Sequence, residues 1–275
     1  ENVLVLGSTN DSLLACLLGA TSVNPLPPHY RCTNCHYTTF GRDRYEDGWD
    51  MPDAVCPVCG GSMEGDGHRL SSRSLAMRLP DISLRVPDEM RQLVTDFIPD
   101  YWQRMDENGI FTVEPYSDEE LTALRLVQSD GQQGIIEIGA LRDDALALEG
   151  LPPLTTTYHH IKAMGLQLAE GAWSRAEQIA IHRGDVDFLD VIAFREDVYD
   201  LIRRHTPPKA RAENGIPWQI MEAVRKGKYA RYGMPEELKR YLSCTLRLPK
   251  YYISALKRIE YLPKKGDCVA RWMME

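Results

Sequence analysis

Cys32, Cys35, Cys56 and Cys59 are the residues of this chain whose types and spacing most directly imply chemistry. They read C-x2-C, a gap of 20 residues, then C-x2-C again. Each pair can grip one ion from one tight turn, and two such knuckles close a tetrahedral Zn²⁺ site. Four thiolates leave no open coordination position, so the ion is expected to hold a loop together rather than activate water or substrate. Two disulfides are the competing use of these cysteines. Nothing else marks the chain as secreted, and Cys16, Cys244 and Cys268 are left over as thiols, which fits a reducing cytoplasm. His29, His36 and His68 border the loop and could substitute as ligands, although four cysteines already suffice. His159-His160 has no Asp or Cys partner at a ligand spacing.

Two further patterns could meet phosphate. Val3 to Leu6 reads as a short strand ended by Gly7-Ser8, with a helix over 11–19, and a strand–turn–helix can rest an anion at the helix start. The plainer reading is an ordinary turn. Arg225, Lys226 and Lys228 are interleaved with Tyr229, Arg231 and Tyr232, which suits phosphate contact and base stacking. The plainer reading there is a solvated helix end, with cations at the negative end of the dipole. Charge sharpens this second pattern. The net charge of −8 hides a split, because residues 203–275 carry 17 Lys+Arg against 7 Asp+Glu. The basic quarter could bind DNA, and the acidic remainder would repel it.

The elements that must position these residues fall into two blocks. The 275 residues suffice for one large or two modest domains. Periodicity predicts strands over 75–86, 110–114 and 134–140 and helices over 89–107 and 118–126, with the cysteine loop inserted. From 142 onward the pattern is helical, over 142–149, 157–169, 173–182, 185–193, 195–204, 217–228, 235–243, 249–259 and 265–274. The expected layout is α+β, with an α+β unit over 1–150 (zinc-binding insertion about 29–69) and an all-helical unit over 151–275. No run of about 18 apolar residues is present, so no membrane span is expected. The start, ENVLVLGSTN, lacks a signal-peptide pattern and an initiator Met, so a processed chain or a part of a longer one is expected.

These stretches together resemble the PolC class of bacterial DNA polymerase III α subunits, the C-family polymerases. The matching segments are NPLPPHYRCTNC, CPVCGG, Asp66-Gly67-His68 and Pro80 to Ser83, followed by Val191 to Asp197, Ile220 to Lys228 and Pro249 to Tyr261. The order is the family's, and the similarity reaches both ends of the chain. The resemblance implies a polymerase-β-like nucleotidyltransferase palm with a zinc-ribbon-like insertion, then a helical fingers-like domain. It also implies Gly7, Ser8, Arg225, Lys226, Lys228 and Lys265 as nucleotide- or DNA-contacting positions.

The family's palm holds two Mg²⁺ ions on three aspartates, which activate the primer hydroxyl and bridge the triphosphate. Here the first survives as Asp81, and the second is Ser83, a neutral group. The gapless counterpart of the third is Ile138. A slip of one residue supplies Glu137 instead, but turns it to the other sheet face unless a bulge intervenes. The family's Gly-Ser phosphate loop becomes Gly7-Ser8-Thr9-Asn10-Asp11, with an acid where phosphates would lie. Lys265 is kept, but Asp267 replaces a histidine. The expectation is a catalytically inactive, zinc-stabilised homologue that binds DNA or a protein partner. Mg²⁺ enters only if polymerase activity persists. The alternatives are a polymerase segment of a longer chain, or an interaction module that keeps only the fold.

Overall fold

The computed structural model describes residues 3–41, 44–70, 83–90, 92, 103–105, 110–113, 134–138, 148–207 and 215–274. The predicted helices over 118–126 and 142–149 lie mostly or wholly outside them, as does Asp81. The described elements mix helices with two small sheets in an α+β chain, which divides into two units: Glu1–Asp144 with Val269–Glu275, and Ala145–Cys268.

The first unit carries both sheets. One has five strands in the order β1-β6-β9-β8-β7. These are β1 (Leu4–Leu6), β6 (Ser83–Val86), β7 (Gln103–Met105), β8 (Ile110–Val113) and β9 (Gly134–Ile138). The pairs are antiparallel except β6–β9, which is parallel. Alternation in β1 buries Leu4 and Leu6 and leaves Val5 half-buried, as a period of two requires. The other sheet has four antiparallel strands in the order β3-β2-β5-β4. These are β2 (His29–Cys32), β3 (Thr38–Phe40), β4 (Ala54–Val55) and β5 (Ser62–Asp66).

Two expectations for this unit need correction. The predicted helix over 89–107 cannot run to its end, because Gln103–Met105 is a strand paired with β8. Pro99 lies between and lacks the donor a helix interior needs. The helix over 11–19 is shorter, spanning α1 (Leu13–Leu17). Ser12 is extended and caps α1 by accepting the Ala15 N–H at 3.2 Å, and Gly19 at φ 70° follows its end.

The second unit is helical. It contains α2 (Thr157–Leu168), α3 (Arg175–His182), α4 (Arg195–His205), α5 (Ile216–Arg225), α6 (Lys228–Tyr232), α7 (Glu236–Arg240) and α8 (Lys250–Arg258). A π-turn, Tyr241–Thr245, extends α7, and α9 (Lys265–Trp272) closes the chain. The expected helix over 185–193 is a single 3-10 turn, Phe188–Asp190. Asp187 caps it through the Leu189 N–H at 2.9 Å, and the following Val191 is extended. Helix 217–228 breaks at Gly227, whose φ is 62°.

The core of this unit gathers on the segment before α4. Val191, Ile192, Ala193 and Phe194 are all buried. Asp197 fastens that segment by accepting the Ala193 and Phe194 N–H groups at 2.8 and 3.1 Å, with Lys162 Nζ on the same oxygen at 3.2 Å. Lys162 is fully buried, so this bond compensates a charge that would otherwise be costly. Gly165 lets α2 meet the Phe194 ring, since a methyl group there would lie 2.2 Å from a ring carbon. Alanine would gain about 1 kcal/mol of helix propensity. Overpacking costs about 1–3 kcal/mol, and at 2.2 Å the overlap is severe. Gly165→Ala is therefore expected to be net destabilising, which a lowered urea midpoint would show.

Candidate metal centre

The two cysteine knuckles are the turns that join β2 to β3 and β4 to β5. Their backbones match. Cys32 donates its N–H to Tyr37 O at 2.9 Å and accepts from the His36 N–H at 3.1 Å. Cys56 donates to Gly61 O at 2.8 Å and accepts from the Gly60 N–H at 3.0 Å. The residue after each second cysteine is left-handed, His36 at φ 58° and Gly60 at φ 71°. His36 thus holds a turn position and takes no part in the cluster.

All four sulfurs lie within 4.8 Å of one another. Cys32 Sγ is 3.5 Å from Cys59 Sγ, and Cys35 Sγ is 3.6 Å from Cys56 Sγ. Ligands about 2.3 Å from a tetrahedral ion would sit about 3.8 Å apart, whereas a disulfide needs about 2.05 Å. The spacing suits a metal and excludes disulfides in this arrangement. Cys32 and Cys56 are buried with Met63 beneath the site, while Cys35 and Cys59 face out. The Cys35 N–H, 3.5 Å from Cys32 Sγ, is the largest influence drawing that thiol down to about 6. Asn34 Nδ2 approaches Cys59 Sγ at 3.7 Å. Such N–H donors offset thiolate charge. The soft donor set suits zinc or iron over hard cations. It is the one such cluster among the described residues.

The bordering histidines are engaged elsewhere. His29 Nδ1 is 2.8 Å from Pro27 O. His68 Nδ1 is 2.8 Å from Asp47 Oδ2, both side chains are fully buried, and the Trp49 ring stands edge-on at 4.3 Å. The segment 24–29 clasps Asp66-Gly67-His68. Asn24 Nδ2 donates to Asp66 Oδ2 at 2.6 Å, and His68 donates its N–H to Asn24 O at 3.0 Å. Gly67, at φ 93°, leaves no room for a side chain, since a Cβ would lie 2.6 Å from Pro27 O. The Asp47–His68 pin, which ties the turn at Trp49 to the segment just after β5, has no periodic sequence signature, and only the aspartate two residues before Trp49 hinted at a turn.

The phosphate-facing candidates are placed as follows. Gly7, at φ 97°, precedes a 3-10 turn, Ser8–Asp11, in which Thr9, Asn10 and Asp11 are buried. Thr21 donates to Asn10 Oδ1 at 2.6 Å, and Asn10 Nδ2 donates to Val5 O at 3.0 Å. The turn is thus tied into the fold. On the five-stranded sheet, Ser83 is paired with Ile135 and Arg85 with Glu137, while Val86 is paired with Ile138. With a period of two, position 137 shares the face of Ser83 and Arg85, and position 138 lies on the other. Lys265 is 5% exposed, with Nζ 4.6 Å from the Tyr158 ring centroid and its N–H on Glu196 Oε2 at 3.0 Å. Arg225 is held by both carboxylate oxygens of Glu222, and Lys226 Nζ is 3.1 Å from the same group. Burial raises the Glu222 pKa, but the Arg225 and Lys226 bonds outweigh it and hold the carboxyl below its usual range.

Nearly the whole chain aligns with known polymerases. It is 42% identical to the DNA polymerase III PolC-type of Thermotoga petrophila and 40% identical to that of Thermotoga maritima. Each alignment runs over 396 positions and covers 96% of this chain and 28% of the relative. The sequence is PolC-like. Against the Bacillus subtilis PolC-type polymerase the match is 40% over 88 residues, covering 30% of this chain and 6% of the relative. No family model matches the chain. The chain spans 28% of the length of the Thermotoga PolC proteins. Their alignments are longer than its 275 residues, so those relatives carry stretches between the matched segments that this chain lacks. Among the described residues, no helix is long and apolar enough to cross a membrane.

Proposed function

We propose that this chain is a palm-and-fingers homologue of the PolC polymerases that binds DNA, is stabilised by a structural zinc and does not polymerise. Its likeness to PolC over 96% of its length carries this reading. Glu1–Asp144 is read as the palm-like unit with its zinc ribbon, and Ala145–Cys268 as the fingers-like unit. Cys32, Cys35, Cys56 and Cys59 would hold the zinc, whose role is to fix both knuckles. Free cysteines throughout suit a reducing cytoplasm.

The reading without polymerisation is supported by the residue types at the expected site. Ser83 stands on β6 at a position where a bridging carboxylate is required, and a hydroxyl cannot replace that charge. The register supports Glu137, rather than Ile138, as the counterpart of the third carboxylate. One acid and Asp81 do not rebuild a two-ion site, and buried Asp11 opposes a triphosphate beside Gly7 and Ser8. No Mg²⁺-dependent step is therefore assigned.

DNA binding is placed on the basic C-terminal quarter. Each neutralised phosphate contributes a log–log salt slope of about −0.9 on duplex DNA. Lys226 and Lys228 are exposed; Glu222 offers one negative charge to two partners, Arg225 through both oxygens and Lys226 at 3.1 Å, so its bidentate partner Arg225 is the cation taken as neutralised. Replacing Lys226 and Lys228 with Ala should reduce the slope by up to about 2, and adding Arg225→Ala should change it little. Salt titrations of duplex binding measure this. Complete absence of binding at low salt to single-stranded, duplex and primer–template DNA would leave a protein-interaction module as the surviving reading.

A further inference from the structure

The outer face of α6 combines features that the rest of the basic quarter does not. Tyr232 is 83% exposed, the largest value among the exposed large hydrophobics of the described residues. Lys228 lies four residues before it and three before Arg231, so all three share one helix face. Lys228 and Arg231 are exposed, and neither makes an ion pair among the described residues. Arg231 is held in place by the carbonyls of Lys226 and Gly227, which orient its guanidinium without cancelling its charge. Of the nearby acids, Glu222 is taken up by Arg225 and Lys226 and Glu236 by Lys239 at 3.2 Å, while exposed Glu237 and Glu260 make no ion pair with Lys228 or Arg231.

The helix is also firmly seated. Gly227 is buried and left-handed, and a Cβ there would lie 2.4 Å from Glu260 O, so the backbone before α6 presses directly on the segment after α8. Tyr229, three residues before Tyr232, is half-buried, and its hydroxyl pKa is raised by that burial. One tyrosine thus anchors the helix, and the other presents a bare ring. Gly233, at φ 79°, ends the helix immediately after the ring.

We infer that this face is a stacking platform for an unpaired nucleobase, with Tyr232 against the base and Lys228 and Arg231 on the flanking phosphates. The occupant is single-stranded nucleic acid rather than duplex, because only an unpaired base can offer its face to the ring. The partner's chemistry follows from the charge of residues 203–275, 17 Lys+Arg against 7 Asp+Glu, on which a polyanion is the complementary partner. This inference rests on the DNA-binding reading and adds to it a strand preference and a residue.

The test uses the full zinc-loaded chain and a thymidine 12-mer carrying one central 2-aminopurine, with the matching duplex as control. Stacking on a protein aromatic should quench the 2-aminopurine. Tyr232→Ala is expected to weaken single-strand binding at least about fivefold, abolish the quenching and leave duplex affinity within about twofold. Its salt slope should not change, since no charge is removed. Tyr232→Trp should retain both affinity and quenching, which separates stacking from a merely structural role. Unchanged single-strand affinity and quenching in Tyr232→Ala would overturn the platform while leaving DNA binding intact. An unaltered chain that binds duplex but no single strand at low salt would overturn the platform alone, and one that binds neither would overturn both.

Discussion

Stripping the metal from the natively purified chain with a strong chelator is expected to unfold the four-stranded sheet and leave the helices of Ala145–Cys268 largely formed. The reason is arithmetic. That sheet's buried apolar cluster is Cys32, Cys56 and Met63, with Tyr30 and Ala54 packed at its edge. Full burial of one such side chain contributes about 1.5–3 kcal/mol, and ordering one residue costs about 1–2 kcal/mol of backbone entropy. A cluster of this size cannot order a segment from His29 to Asp66. A structural zinc can supply about 10–16 kcal/mol. Native mass spectrometry should find one zinc per chain. Cys35→Ser should lose most of it and expose the segment to protease. Affinity should also fall as pH falls, because the ligands must be thiolates. The Asp47–His68 pin is independent of the ion, so the turn around Trp49 should be the last part of this segment to loosen. A chain that purifies without metal, and whose exchange protection in β2 and β5 is unchanged by chelator, would refute the zinc assignment.

The second large effect is negative. Restoring a carboxylate by Ser83→Asp is expected to leave primer extension at background. Two metal ions need three well-placed carboxylates, and losing transition-state charge stabilisation of several kcal/mol costs orders of magnitude in rate. Ser83→Asp would stand on the same sheet face as position 137, so weak Mn²⁺ binding could return. Turnover also needs the triphosphate held, and the turn at Gly7-Ser8 leads into buried Thr9, Asn10 and Asp11 rather than an open cradle. Robust extension by Ser83→Asp alone would show that the phosphate side is intact.

The parts of this molecule that were legible in the sequence are those whose cause is local. Each knuckle is complete within six residues, so its spacing alone specifies the turn. Helices α2, α3, α4 and α8 follow from uninterrupted periodicity. The misreadings have physical sources. The expected helix over 89–107 ignored Pro99 and the pairing of Gln103–Met105 with β8, which overrides helical pattern. Within the expected helix over 185–193 only Phe188–Asp190 turns, as a 3-10 turn, and the apolar run from Val191 to Phe194 is a buried non-helical segment fastened by Asp197. The basic run reads as cations suited to phosphate, although Glu222, three and four residues before Arg225 and Lys226, is spaced to pair with those two. The burial of Lys265 against Tyr158 and the Asp47–His68 pin depend on contacts across 107 and 21 residues, and no local pattern encodes them. Which of positions 137 and 138 shares the face of Ser83 depends on strand register, which the sequence leaves open by one residue.

Primer extension by the unaltered, zinc-replete chain tests the central claim most directly. The substrate is a primed template with all four deoxynucleotides and either Mg²⁺ or Mn²⁺, at protein concentrations where primer–template binding has been confirmed by anisotropy. The proposed reading, a palm-like unit that has lost its carboxylate set, predicts binding with no added nucleotide above background in either metal. Extension that depends on template sequence and disappears in Asp81→Ala would contradict it.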